Sequence, residues 1–457
     1  MKVRGGVKLF AVMLFVALCA PLALAQAAAG DIDGLWLGTL DTGAIKLRMV
    51  FKFASTAEGT TGQLQSPDQS DAWIPVTAVQ RESDTVRITI GRIQATYEGK
   101  LAADRQSMAG TFTQRGTPFA VALQREKNAA SLERKRPQNP VKPYPYREEQ
   151  VSYANAAAGI TLAATLTVPE GKGPFPAVLL IAGSGPHDRD EMLLGHRPFL
   201  VLADFLARHG IVVLRADKRG VAKSTGNYAT ATTEDFAADV DAGVAFLKTR
   251  AEVDAHRIGL IGHSEGAVVA PMVAVKDADV AFVVMMAGTG VTGEDILVEQ
   301  SRLISLASGM SAETVAKNAE EERSLLELVR KTNDAAALED RLRQRLLMNG
   351  VPAVQIEAQV SALSSPWMRY FLSYDPATAL RKLTKPVLAL NGSLDLQVPP
   401  AQNLPPIRKA LAEAGNKHAE IDELPGLNHL FQTAKTGAPA EYGEIEETIS
   451  PVVLEKI

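Results

Sequence analysis

Arg257-Ile258-Gly259-Leu260-Ile261-Gly262-His263-Ser264-Glu265-Gly266-Ala267-Val268-Val269-Ala270 is the stretch from which the fold of this chain is read. Its first five residues form a short apolar strand, its last four a run of small residues, and between them stands G-x-S-x-G. In a strand–turn–helix setting this pattern makes a nucleophile elbow, a turn so tight that the serine backbone is strained. Glycine two residues either side leaves room for the strand and helix to close in. A chain of 457 residues meets such a five-residue pattern by chance often enough that partners for Ser264 must be found elsewhere.

The pattern around the elbow is one of strands alternating with helices. Continuous apolar runs at 176–182, 211–214, 258–261, 282–286 and 387–390 fit central strands of a parallel sheet buried on both faces. Helical stretches at 199–209 and 234–247 lie between them. A long, charged, helical segment from about 292 to 380 interrupts the alternation. It has one apolar stripe at Leu325, Leu326, Leu328 and Val329 and another at Leu342, Leu346 and Leu347. An insertion between two core strands, the sixth and seventh, reads as a cap over a site.

Residues 31–126 read differently. Ile45, Leu47, Met49, Phe51 and Phe53 alternate with Lys46, Arg48 and Lys52 at a period of two, and 86–90 and 119–123 repeat the pattern. A small all-β domain, an antiparallel sheet or barrel, is expected there, with no catalytic grouping. Residues 127–146 read as a stiff linker: Arg134-Lys135-Arg136 precedes Pro137, Pro140, Pro143 and Pro145. The basic triplet is expected to be a solvated face rather than a site for an acidic partner.

At the N-terminus Lys2, Arg4 and Lys8 precede an apolar run from Leu9 to Leu24 that closes on Ala23-Leu24-Ala25. This is the pattern of a secretory signal peptide cut after Ala25, too short for a membrane span. Its removal takes the net charge from −4 to −7, and no basic stripe remains for nucleic acid. Cys19, the one cysteine, lies in the leader behind Leu18, an unsuitable residue for lipidation. Disulfides, cysteine–metal sites and a cysteine nucleophile are thereby excluded from the mature chain. The expectation is an exported protein, periplasmic or secreted, held together by its core and without lasting membrane insertion. Its oligomeric state is left open.

A serine hydroxyl needs a base, and the base needs an orienting carboxylate. In α/β-hydrolases these follow in the order Ser, Asp or Glu, His, each on a loop at a strand's C-terminal end. Asn391-Gly392-Ser393-Leu394-Asp395 follows the 387–390 strand and places Asp395 on such a loop. Elimination among seven histidines leaves His429, in Pro425-Gly426-Leu427-Asn428-His429, one helix and one strand later. His263 is expected to point away from Ser264. The oxyanion hole is expected from the backbone N–H of Glu265 and one from Ala182-Gly183-Ser184-Gly185-Pro186, with Ser184 favoured and Gly185 the alternative. Trp367, Tyr370, Phe371 and Gly185 are candidates for the substrate pocket. Asp188, Arg189, Asp190, Asp217 and Arg219 either recognise a charged substrate, such as a free amine with help from Glu265, or pair to brace loops. His187, Asp188 and Asp190 offer no convincing metal-ligand spacing, so no metal or cofactor is expected.

Taken together, Gly183-Ser184-Gly185-Pro186-His187-Asp188-Arg189-Asp190, Asp217-Lys218-Arg219-Gly220, the elbow, and the segments carrying Asp395 and His429 resemble EstD-type bacterial carboxylesterases. These are serine hydrolases of the α/β-hydrolase superfamily with an N-terminal β domain, and serine aminopeptidase-like hydrolases share most of the motifs. The resemblance spans nearly the whole mature chain. It implies Ser264, Asp395 and His429 as the triad and short-acyl ester hydrolysis as the activity, with small-molecule esters as substrates of short to medium chain. A peptidase or amidase with the same triad is the alternative. A non-catalytic exported binding protein is a third reading, which the intact Ser, Asp and His argue against.

Overall fold

The computed structural model describes residues 32–42, 46–69, 72–127 and 134–457. The expected leader, with Cys19, lies outside the described residues. Within them, no helix is long and apolar enough to cross a membrane.

The N-terminal part is a nine-stranded antiparallel sheet. Its strands are β1 (Gly34–Asp41), β2 (Lys46–Thr56), β3 (Gly59–Gln65), β4 (Ile74–Pro75), β5 (Ala78–Glu82), β6 (Thr85–Ile90), β7 (Ala95–Leu101), β8 (Ser107–Gln114) and β9 (Thr117–Glu126). Their order is β4-β3-β2-β1-β9-β8-β7-β6-β5, and the sheet curls until β3 and β5 approach each other. The period-two pattern dictates this: every second residue of β7 is buried, and Trp36, Phe51, Tyr97, Phe112 and Leu123 fill the enclosed face.

Two antiparallel strands open the second sheet, β10 (Tyr146–Asn155) and β11 (Ile160–Pro169). β12 (Phe175–Ile181), β13 (Val212–Ala216), β14 (Val253–His263), β15 (Val280–Met286), β16 (Val387–Gly392) and β17 (Ala419–Leu424) run parallel to one another. The order is β10-β11-β13-β12-β14-β15-β16-β17. Helices cover both faces, which is why the central strands β12, β13, β15 and β16 and the second half of β14 are mostly apolar, whereas the edge strand β17 alternates with acidic residues. Leu179, Leu214 and Leu260 meet α2 (Thr233–Lys248) and α3 (Glu265–Ala274) on one side. Leu180, Val213 and Ile261 meet α1 (Pro198–Arg208) on the other, along with the C-terminal residues Val453 and Leu454.

Between β15 and β16 the chain leaves the sheet for α4 (Gly293–Ala307), α5 (Ala312–Lys331), α6 (Ala335–Met348), α7 (Ala353–Leu363), α8 (Pro366–Ser373) and α9 (Ala377–Leu380). These helices have a small core of their own, with Leu326, Val329, Leu338, Leu342, Leu346, Val360 and Leu372 buried. Of the expected stripes, Leu325 and Leu328 are only partly buried. Leu347 is 55% exposed, because the residue after Leu346 is turned about 100° away around the helix.

Candidate active site

β14 ends at His263 and α3 begins at Glu265, so Ser264 alone makes the turn. Its backbone has φ +54° and ψ −115°, a region costly for a side-chain-bearing residue, and its N–H donates to the Met286 carbonyl at 2.8 Å. A Cβ on Gly262 would stand 2.0 Å from the Gly266 carbonyl oxygen, and one on Gly266 would stand 2.0 Å from that of Ile181. The two glycines of the elbow are therefore a packing requirement.

Asp395 and His429 are brought together from separate strand ends. The Asp395 carboxylate is 2% exposed as a residue and fully ligated: Oδ1 accepts from the Gln397 and Val398 N–H groups, each at 2.8 Å. Oδ2 accepts from Asn391 Nδ2 at 3.3 Å and from His429 Nδ1 at 2.9 Å. Asn428 shapes the histidine loop by accepting at Oδ1 from the N–H groups of Leu430 and Gln432, both at 3.0 Å. Ser264 and His429 line one cavity of about 240 Å³. Among the described residues no hydrogen bond joins Ser264 Oγ to His429, as is usual before a substrate tightens the site.

The loop after β12 has its polar groups fixed one by one. Gly183 N donates to Glu191 Oε1 at 2.6 Å, and Gly183 O accepts from Lys218 Nζ at 2.6 Å. Gly185 N donates to the Tyr228 hydroxyl at 3.0 Å, and Ser184 O is 2.8 Å from His187 Nε2. Ser184 N and Glu265 N are left without an acceptor among the described residues. Of the two N–H groups weighed for this loop, Gly185 is thus occupied and Ser184 free.

α8 supplies part of the cavity wall. Trp367 and Phe371, one helical turn apart, stack at 4.9 Å between ring centroids and line the cavity with Ile296, Leu297 and Val398. Tyr370 is on the neighbouring stripe of the same helix, where it stacks on Tyr374 instead, and Gly185 is not part of the lining either. Sequence reasoning missed Ile296, Leu297, Gln300 and Gln397, which carry no local signal. It also missed Glu191, whose place in the run Asp188-Arg189-Asp190-Glu191 disguised it as one more surface acid.

Glu265 is not free. Oε1 accepts from Trp367 Nε1 at 2.6 Å and from Thr233 Oγ1 at 2.7 Å, and Oε2 from Lys218 Nζ at 3.1 Å. Asp188 accepts at Oδ1 from the N–H groups of Asp190 and Met192, each at 3.1 Å, and the other charged residues form ion pairs. Arg189 pairs with Asp217, whose pKa burial would raise but whose bonds to Arg189 hold below the ordinary value. Arg219 binds Asp239 and Asp235, and Asp190 binds Arg215 and Arg197. The linker triplet is no solvated face: Arg134 bonds the Gly443 carbonyl and pairs with the buried Asp68, while Arg136 donates to the carbonyls of Leu194, Gly443 and Ile445. Only Lys135 is exposed. Among the described residues no group of three potential ligands could hold a metal.

An eight-stranded sheet whose second strand alone is antiparallel, whose third and fourth strands exchange places, and whose fifth runs into a strained serine has one familiar counterpart. This is an α/β hydrolase. The model of the X-Pro dipeptidyl-peptidase (S15) family matches residues 158–410, more than half of the chain, and the chain belongs to that family. The likeness to EstD-type esterases is borne out, though over less of the chain than the motifs suggested: esterase EstD of Thermotoga maritima is 28% identical over 282 residues. That alignment covers 61% of this chain and 60% of the relative, so the chain spans about three fifths of that protein's length. Among solved structures, the α/β hydrolase GrgF from a Penicillium species has a TM-score of 0.42 at 19% identity, over 62% of this chain and 91% of that one. The Pyrococcus furiosus esterase Pf2001 has a TM-score of 0.40 at 17% identity, over 61% and 83%.

Proposed function

We propose that this protein is a carboxylesterase-type serine hydrolase that works through an acyl-enzyme on Ser264. His429 Nδ1–H is committed to Asp395, which leaves Nε2 as the basic nitrogen facing the cavity. Nε2 takes the Ser264 proton as Oγ bonds to the ester carbonyl carbon. Ser184 N–H and Glu265 N–H receive the oxyanion, and each donor of this kind is worth about 10²–10³ in rate. His429 then gives its proton to the departing alkoxide, the C–O bond breaks, and water repeats the sequence to release the acid. Asp395 holds the tautomer and stabilises the imidazolium.

The observation that carries the ester reading is the state of Glu265. Anchoring a peptide's free amine would need an uncommitted carboxylate in the cavity. Glu265 spends Oε1 on Trp367 and Thr233 and Oε2 on Lys218. Glu191 Oε1 is bonded to Gly183 N and His263, and its Oε2, though without a partner, is buried out of a substrate's reach. Ile296, Leu297, Trp367, Phe371, Val398 and Leu430 give the cavity an apolar share of its lining, which suits a short to medium acyl chain. The basic–apolar leader ending in Ala23-Leu24-Ala25 supports export, so the substrate would be met in the periplasm or outside the cell. The test compares p-nitrophenyl acetate through decanoate with aminoacyl and X-Pro p-nitroanilides. Efficient ester cleavage with anilide kcat/KM lower by about 10² or more is expected. Comparable efficiency on the anilides would assign a peptidase.

A further inference from the structure

The cavity lining includes a charged pair that the acyl-transfer steps do not use. Glu191 sits in the loop between β12 and α1 with φ +51°, a conformation disfavoured for a residue with a side chain. Its residue is 4% exposed, and Oε1 accepts from Gly183 N at 2.6 Å and from His263 Nδ1 at 3.0 Å. His263 is also buried, and its Nε2 is 3.0 Å from the His429 carbonyl oxygen. A carboxylate and a carbonyl can only accept. Both ring nitrogens of His263 must therefore carry hydrogen, which makes the ring an imidazolium. Burial disfavours that charge, but Glu191 beside it holds the His263 pKa above the ordinary value. Burial likewise opposes charge on Glu191, yet His263 and the Gly183 N–H bring its pKa below the ordinary value. His187, Asp395 and the His429 ring, 4.9 Å from that of His263 between centroids, are the titratable groups around the pair, and Lys218 binds Gly183 from its carbonyl side.

The pair thus joins two pieces of backbone. One is Gly183, next to the oxyanion donor Ser184; the other is His429, the base. We propose that Glu191 and His263 are positioning residues of the reaction: their carboxylate–imidazolium bridge sets Ser184 N–H and His429 at the separation that one tetrahedral carbon requires. The inference rests on the acyl-transfer reading of the site. Its outer support comes from the N-terminal domain and linker. Leu194, three residues beyond Glu191, donates its N–H to the Asp68 carbonyl and accepts from Arg136 Nη2 at 2.7 Å. The β domain therefore grips the loop from which Glu191 reaches the site.

The experiment uses the full chain with Glu191→Gln, Glu191→Asp, His263→Gln and the Glu191→Gln/His263→Gln double variant. Two readouts are taken: kcat and KM on p-nitrophenyl butyrate per titrated active site, and the rate constant of fluorophosphonate labelling, which needs no natural substrate. Glu191→Gln should lower kcat and the labelling rate about 10- to 100-fold with KM within threefold, as for other groups that orient a reacting residue. Glu191→Asp, which keeps the charge, should recover part of the loss. The double variant should lose no more than the worse single one, because both break one bridge. A Glu191→Gln protein with labelling rate and kcat within twofold of wild type would overturn the inference. So would a loss that Glu191→Asp shares in full and that follows the fall in melting temperature. A wild type that labels rapidly but cleaves no ester would overturn the esterase reading, and the labelling ratio would still decide this one.

Discussion

Trp367 Nε1 donates a 2.6 Å hydrogen bond to Glu265 Oε1, tying the helical insertion to the residue directly after the elbow serine. The bond does two things at once. It fixes the aromatic wall of the cavity, since Phe371 stacks on Trp367, and it occupies the carboxylate that would otherwise greet a substrate amine. Hydrogen bonds to charged groups contribute about 1.5–3 kcal/mol. Trp367→Phe keeps the ring and deletes the donor. It should raise KM for p-nitrophenyl butyrate about tenfold with kcat changed less than threefold, and steady-state kinetics on the two proteins checks this. Equal KM values would mean that the bond does not hold the wall.

Asp395→Asn should leave the fold and KM nearly intact and lower kcat by about 10³–10⁴, because an amide no longer selects the tautomer with the proton on Nδ1. The Gln397 and Val398 N–H groups, both held by Oδ1, keep the side chain in place, so the loss would be chemical. Kinetics beside a thermal melt separates the two: a fall in kcat with an unchanged melt is expected, and an Asn variant with wild-type kcat would remove Asp395 from the reaction.

His196 gives the stability a pH dependence. It is 1% exposed between the Thr448 hydroxyl and the Tyr442 carbonyl, and burial, with Arg136 and Arg134 nearby, pushes its pKa down from 6.5 to about 4. The folded chain thus refuses a proton that the unfolded chain accepts. Its contribution is fully present above pH 6.5 and is lost as the pH falls toward 4, by at most about 3 kcal/mol. Urea midpoints at pH 7 and pH 4.5 should fall further for wild type than for His196→Gln. Parallel falls would contradict the assignment.

Asp68 is fully buried where the β domain meets the linker, paired with Arg48 at 2.6 Å and Arg134 at 3.3 Å. Removing one member of a buried ionic group costs about 3–5 kcal/mol, because the others stay desolvated. Asp68→Ala should lower the urea midpoint and raise the rate of proteolysis in the 127–146 linker. Limited proteolysis followed by mass spectrometry tests it, and an unchanged cleavage pattern would show that the junction stands without the pair.

Much of this was legible in the sequence because it is local. Period-two apolar residues such as 45, 47, 49, 51 and 53 and continuous apolar runs such as 282–286 write their sheet type into the chain. The Ser264 elbow and the strand-end turns that carry Asp395 and His429 are short motifs with fixed steric demands. The cavity wall was not legible. Whether Tyr370 or Phe371 lines the cavity depends on the rotation of α8, which rests on long-range contacts such as the Trp367–Glu265 bond between residues 102 positions apart. The linker arginines misled for a related reason. Beside several prolines they look solvated, and only the folded chain brings the carbonyls of Leu194, Gly443 and Ile445 within their reach. Glu191 and His263 were hidden in the same way, since 72 residues separate them.

The most direct test of the account is the site of covalent attack. Wild type and Ser264→Ala would be treated with a fluorophosphonate, and intact mass and peptide mapping would locate the adduct. One phosphonate per chain on Ser264, absent from the variant along with ester hydrolysis, is the result expected. An unlabelled wild type, or an adduct on another residue that persists in Ser264→Ala, would contradict acyl transfer at this serine.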